Sequence, residues 1–201
     1  MRSAAMFLAL SLGAAFLSGC AREIPVAGNE EDGPLATDQR AVPVVSLQMG
    51  EQPLPFTVED VTGPAQGEML CYRCRYANRP TVVVFAREVN DTVSSLVQQI
   101  DQQVAANRDK KLSAFMVVVG ENAEEAKPDL QRLATAQNLQ NTPLTVFHKP
   151  EGPPGYGLSP DMPIQVMMWN KEGLKVNRPI AGELSREEIA QVVNATEEIL
   201  N

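Results

Sequence analysis

The sequence is poor in histidine, cysteine and positive charge, and each shortage removes a class of function. Its 201 residues hold one histidine, His148, and three cysteines, Cys20, Cys71 and Cys74. A closed zinc site wants four ligands, so thiolates at Cys71 and Cys74 would need carboxylates or a second subunit to complete one. A covalent haem site would want histidine directly after Cys74, where Arg75 stands instead. No cofactor is therefore expected. Lys and Arg total 17 against 25 Asp and Glu, a formal net charge of −8. That balance argues against nucleic acid as a partner and against a basic membrane-docking face. Beyond residue 20 no stretch approaches the ~18 uninterrupted apolar residues of a spanning helix, and no internal repeat is visible.

The one long apolar run is at the start. Residues 1–20 carry Arg2, an apolar core over residues 4–17, and small residues before Cys20, the layout of a signal peptide. Leu17-Ser18-Gly19-Cys20 resembles a bacterial lipobox. That resemblance implies cleavage after residue 19, acylation of the Cys20 thiol, palmitate among the chains, and membrane lipid as a partner. Two or more acyl chains anchor a protein where one does not, at about 0.8 kcal/mol per buried methylene. Losing Arg2 moves the charge from −8 to −9. Residues 20–50, rich in acidic residues, Pro and Gly and without sustained periodicity, are read as a lipidated flexible tether. Residues 51–201 are read as one domain with a full core. The expected setting is the cell envelope, lipid-anchored and extracytoplasmic, where disulfides persist. Acylation of Cys20 leaves a single cysteine pair.

Within the domain two strand-helix units follow one another. TVVVFA at residues 81–86 is continuous, β-branched and aromatic, as suits a strand buried on both faces. Val93, Leu96, Val97, Ile100 and Val104 then fall at helical spacing, with Asn90 or Asp91 available to cap. Residues 114–119 read as a second buried strand and 124–138 as a second helix. Residues 56–61 alternate as a half-exposed strand that Thr62-Gly63-Pro64 turns into a hairpin. Residues 144–147, 164–169 and 174–176 add strands. Ser185-Arg186-Glu187-Glu188 is a capping box before a final helix. Alternating strands and helices point to an α/β sheet.

From Met162-Pro163-Ile164 through Trp169, the turn at Asn170-Lys171-Glu172-Gly173, and the capped terminal helix, the chain resembles the second half of a thioredoxin fold. With Pro-Phe-Thr-Val-Glu-Asp-Val over residues 55–61 and a strand-helix-strand insertion ending near Tyr156-Gly157-Leu158, it resembles the peroxiredoxin-like branch that includes envelope-tethered thioredoxins. The resemblance implies a three-layer α/β/α sandwich with a mixed central sheet and an N-terminal β-hairpin. It also implies a cis bond before Pro163, facing the redox site.

The family's chemistry fails to transfer where its nucleophile should be. Val89-Asn90-Asp91-Thr92 occupies the position of the thioredoxin cysteine pair, and no peroxidatic cysteine is present. Thr92 lacks a nearby base to activate it, and the only histidine lies in another segment. Peroxidase activity is not expected. Cys71 and Cys74 instead precede the buried strand. Three readings stay open. The pair cycles by thiol-disulfide exchange with a protein thiol partner, helped by the positive charge of Arg73 and Arg75 and with an exposed Tyr72 as a contact surface. Alternatively it is a structural disulfide in a non-catalytic domain that binds a partner through a groove at Pro163, Met162, Arg87 and Asn90. Third, its thiolates bind a metal. Met167 and Met168 alternate to opposite faces, Trp169 and Tyr156 read as packing residues, and His148 as a strand-end residue facing solvent.

Overall fold

The computed structural model describes residues 46–200. Cys20, the signal segment and most of the tether lie outside the described residues. Seven strands form one mixed sheet in the order β2-β1-β5-β4-β3-β6-β7. They are β1 (Val58–Asp60), β2 (Met69–Leu70), β3 (Thr81–Ala86), β4 (Ser113–Val119), β5 (Leu144–Phe147), β6 (Ile164–Asn170) and β7 (Gly173–Ile180). The helices are α1 (Tyr72–Tyr76), α2 (Asp91–Ala106), α3 (Lys127–Ala136) and α4 (Arg186–Asn194).

TVVVFA forms the centre. All six of its residues are buried, because β3 lies parallel to β4 on one side and antiparallel to β6 on the other, with layers above and below. On one face Leu96, Ile100, Leu130 and Val192 of the three long helices close over Val84, Met116 and Val166. On the other, Phe56, Tyr72, Tyr156 and Leu158 close over Phe85, Phe115 and Trp169. This second layer is thin, made from α1 and loop segments, and relies on aromatic residues that each contribute roughly 1.5–3 kcal/mol by leaving water. Met167 and Met168 enter opposite cores, as strand alternation requires.

The start signals act as expected. The Asn90 side chain accepts from Val93 N at 3.0 Å to open α2. Ser185 and Glu188 complete the capping box of α4. The hairpin forms too, with β1 antiparallel to β2 and to β5, so it extends the sheet beyond the β5 edge.

Two expectations are corrected and one element is added. Residues 46–50, assigned to the tether, belong to the fold: Leu47 is buried, and Gly50 N donates to Leu174 O at 2.8 Å. Residues 71–76, to which the sequence reading gave no element, contain α1. Among the described residues there is no cis peptide bond, so the bond before Pro163 is trans. Trans is the favoured form at X-Pro by about 0.5–1 kcal/mol, and the loop that Pro163 faces holds no thiol for the ring to address. Its carbonyl accepts from Arg87 N at 2.9 Å.

Candidate functional site

Cys71 and Cys74 form a disulfide with their Cα atoms 5.2 Å apart. The local sequence explains why. Cys71 takes extended backbone angles as the N-cap of α1, and its Sγ accepts from Cys74 N at 3.0 Å. One turn of helix therefore brings residue i+3 back over residue i. Cys74 is exposed and Cys71 half-buried, so Cys74 is the more accessible residue of the pair. A sulfur that accepts a backbone N–H at the head of a helix is better able to carry negative charge. The pair thus sits at the head of α1, whereas the Asn90 loop carries no thiol.

What holds α1 is Tyr72. It is 1% exposed, which corrects the expectation that it is a contact surface between the sulfurs. Its ring stacks on Phe115 with centroids 5.5 Å apart, and its hydroxyl donates to Asp60 Oδ2 at 2.8 Å. The Asp60 carboxylate, itself 1% exposed, also accepts from Gly63 N at 2.6 Å and Ala65 N at 2.8 Å. Burial first, and the hydrogen bond to Asp60 second, push the Tyr72 phenol far above its ordinary range. Tyr76 donates to Ala114 O at 3.2 Å and is pushed upward chiefly by burial. The cysteine pair therefore rides on a helix clamped to the hairpin and to β4. Asp60 was not singled out from sequence. The signal available was Asp60-Val61-Thr62-Gly63, an Asp followed three residues later by Gly, which is Asx-turn chemistry.

Of the two arginines expected to favour a thiolate, Arg73 turns away. Its guanidinium donates to Pro53 O at 3.1 Å, Ala77 O at 2.9 Å and Gln52 Oε1 at 3.2 Å. Arg75 is exposed. Gln52 in turn donates to Lys171 O at 2.9 Å, so α1 lies beside the β6–β7 turn. Pro163 lies at the other end of β6, whose seven residues span roughly 20 Å.

At that far end Arg87, Met162 and Pro163 come together around a cavity of about 10 Å³, room for about one water molecule. The Arg87 guanidinium donates to Pro150 O, and to Ser159 O at 3.3 Å, which ties the intervening loop across the edge. Asn90 is spent on its cap. A peptide could enter here only if that loop moved. Tyr156 and Trp169 are packing residues, as read; Tyr156 donates to Leu54 O at 2.7 Å.

His148 is exposed at the end of β5, with Nε2 3.3 Å from Glu59 Oε2. Glu59, Glu124 and His148 present ligand atoms within 4.8 Å of one another. The cation at this cluster is Lys127, whose Nζ is 2.6 Å from both Glu59 Oε1 and Glu124 Oε1.

No family model and no curated protein sequence matches the chain. Solved structures do. A protein assigned as the thiol:disulfide interchange protein DsbE from Chlorobium tepidum superposes with a TM-score of 0.59 at 11% identity, over 78% of this chain and 100% of that one. A DsbF homologue from Corynebacterium diphtheriae gives 0.53 at 11%, over 72% and 85%. The yeast mitochondrial 1-Cys peroxiredoxin gives 0.51 at 10%, over 75% and 76%. The chain has a thioredoxin-like fold, and the Cys71–Cys74 disulfide fits a redox reading of it.

Proposed function

We propose that this chain exchanges disulfides with protein thiols through Cys71 and Cys74, and that acylated Cys20 tethers it to the outer side of a bacterial cytoplasmic membrane or to an outer membrane. The observation that carries the exchange reading is the exposed Cys74 joined to a half-buried Cys71 at the head of α1. A disulfide kept only for stability gains little from so short a loop, about 2 kcal/mol in the chain-entropy model.

The chemistry balances as follows. A partner thiolate attacks Cys74 Sγ; a sulfur–sulfur bond to the partner forms as the Cys71–Cys74 bond breaks, and the electron pair leaves on Cys71 Sγ. The N–H of Cys74, 3.0 Å from that sulfur in the disulfide, is placed to stabilise the departing thiolate. A second partner thiolate then attacks the partner's own sulfur in the mixed disulfide and releases Cys74. The partner gives up two electrons and two thiol protons and becomes a disulfide, and the pair becomes a dithiol. Run backward, the same steps oxidise the pair.

Trapping tests the reading. In Cys71→Ser the reduced Cys74 should form a mixed disulfide with partner protein that persists, because the resolving thiol is gone; Cys74→Ser should accumulate far less. Equal capture by both variants would contradict the assigned order of attack. Absence of capture by either would overturn the exchange reading.

A further inference from the structure

Beside α1 the surface opens into a cleft of about 490 Å³, and Thr62, Gly63, Tyr72, Arg75, Tyr76 and Gln140 are among its lining residues. We infer that this cleft is the docking site for an acidic peptide segment flanking the reactive cysteine of the partner protein. The inference rests on the exchange reading above and names the class of partner.

Arg75 lines the cleft and follows exposed Cys74 on the short helix α1, so the cleft and the disulfide share one element. The site at Pro163, by contrast, is at the other end of β6 and nearly full. Size agrees, since ligand-holding clefts run from about 300 to 1,000 Å³.

One wall of the cleft is the turn that Asp60 holds through Gly63 N and Ala65 N. The opposite wall, residues 139–143, is pinned by buried Asp101, which accepts from Asn141 N at 2.7 Å and from Asn141 Nδ2 at 3.0 Å. The floor includes Tyr72 and Tyr76, both fixed by hydrogen bonds. Such walls are formed before a ligand arrives, which lowers the entropy lost on binding.

Charge selects the occupant. The chain as a whole is acidic, at −8, and would repel an acidic partner. Yet Arg73, Arg75 and Arg79 fall within seven residues that contain no carboxylate. Arg73 and, across the cleft, Arg108 spend their hydrogen bonds on neutral oxygens, those of Pro53, Ala77, Gln52 and Asn141. The Arg75 side chain makes no hydrogen bond or ion pair among the described residues; only its backbone N–H is used, on Cys71 O. The wall carboxylates Asp60 and Asp101 are buried and spend their oxygens on N–H and O–H donors, so the exposed charge lining the cleft is the Arg75 cation, which draws an acidic segment to this face of an acidic protein.

The test uses the purified full-length protein in detergent and three eight-residue peptides that differ only in the flanks of a central residue: aspartate and glutamate, serine and glycine, or lysine. With serine at the centre, equilibrium binding by fluorescence anisotropy reads the cleft alone. The acidic peptide should bind roughly fivefold more tightly than the neutral one at low ionic strength. That preference should shrink as salt is raised. Arg75→Gln should remove it, while Arg178→Gln, on the exposed edge strand β7, should leave it. With cysteine at the centre, as the mixed disulfide with thionitrobenzoate, release of the chromophore by the reduced protein reads exchange. Equal binding of all three serine peptides, or an acidic preference that survives Arg75→Gln, would overturn the cleft assignment whatever the exchange rate. Acidic preference without chromophore release from any peptide would leave the cleft and remove the exchange reading.

Discussion

One buried carboxylate, Asp60, ties the hairpin to α1. Asp60 satisfies two backbone N–H groups and the Tyr72 hydroxyl at once, so its loss strands one buried and two half-buried donors. Asp60→Ala should lower the unfolding free energy by about 3 kcal/mol, and Tyr72→Phe, which leaves two of the bonds intact, by about 1 kcal/mol; urea titrations of both would check the ratio. Gly63 is restricted for the same reason, because a Cβ there would collide with the Tyr72 hydroxyl and both Asp60 oxygens. The cysteine pair itself was legible in the sequence, down to its displacement from the usual loop. The burial of Tyr72 was not. A five-residue helix is too short to show a period, and the tyrosine between two cysteines is drawn inward by Phe115 and Asp60, which lie far away in the chain.

At the scale of elements, the join between β1 and α3 carries a pH dependence. The Glu59 carboxyl is held below its ordinary value of 4.5, first by the hydrogen bond from Lys127 and against the opposing effect of burial. Lys127 is held above its own, first by Glu124 and then by Glu59. A depressed carboxyl stabilises the fold above its unfolded pKa, and that stabilisation is lost as pH falls through the lower folded value. The urea midpoint of the native protein should therefore drop more steeply between about pH 5 and pH 3 than that of Glu59→Gln. The β6–β7 turn makes a second prediction. Gly173 has φ +105°, and an added Cβ would run into the Gly50 carbonyl. Gly173→Ala should cost about 2 kcal/mol and free residues 46–50. Strands and long helices were readable because burial on two faces and caps such as Ser185 write themselves locally. The loop held by Arg87 depends on acceptors 63 and 72 residues away, and the inclusion of Leu47 in the fold on the distant Gly50–Leu174 bond, and neither leaves a local pattern.

For the whole molecule, a thioredoxin-like sheet carries its cysteine pair at the end opposite Pro163, beside a cleft. The aromatic second layer permits this, since α1 and the Tyr156 loop cover the sheet where no long helix lies. Anchoring is a separate claim that belongs to Cys20, outside the described residues. Cells fed labelled palmitate should incorporate label into the native chain and not into Cys20→Ser; label in both would remove the lipid tether from the account. In the proposed exchange Cys71 and Cys74 cycle between disulfide and dithiol. The most direct measurement is an equilibrium redox titration of the full-length protein with thiol trapping and mass readout of the two cysteines. The account predicts a reduction potential between about −120 and −270 mV, the range of working thiol-disulfide oxidoreductases, whereas a potential below about −300 mV would mark a structural disulfide and contradict it.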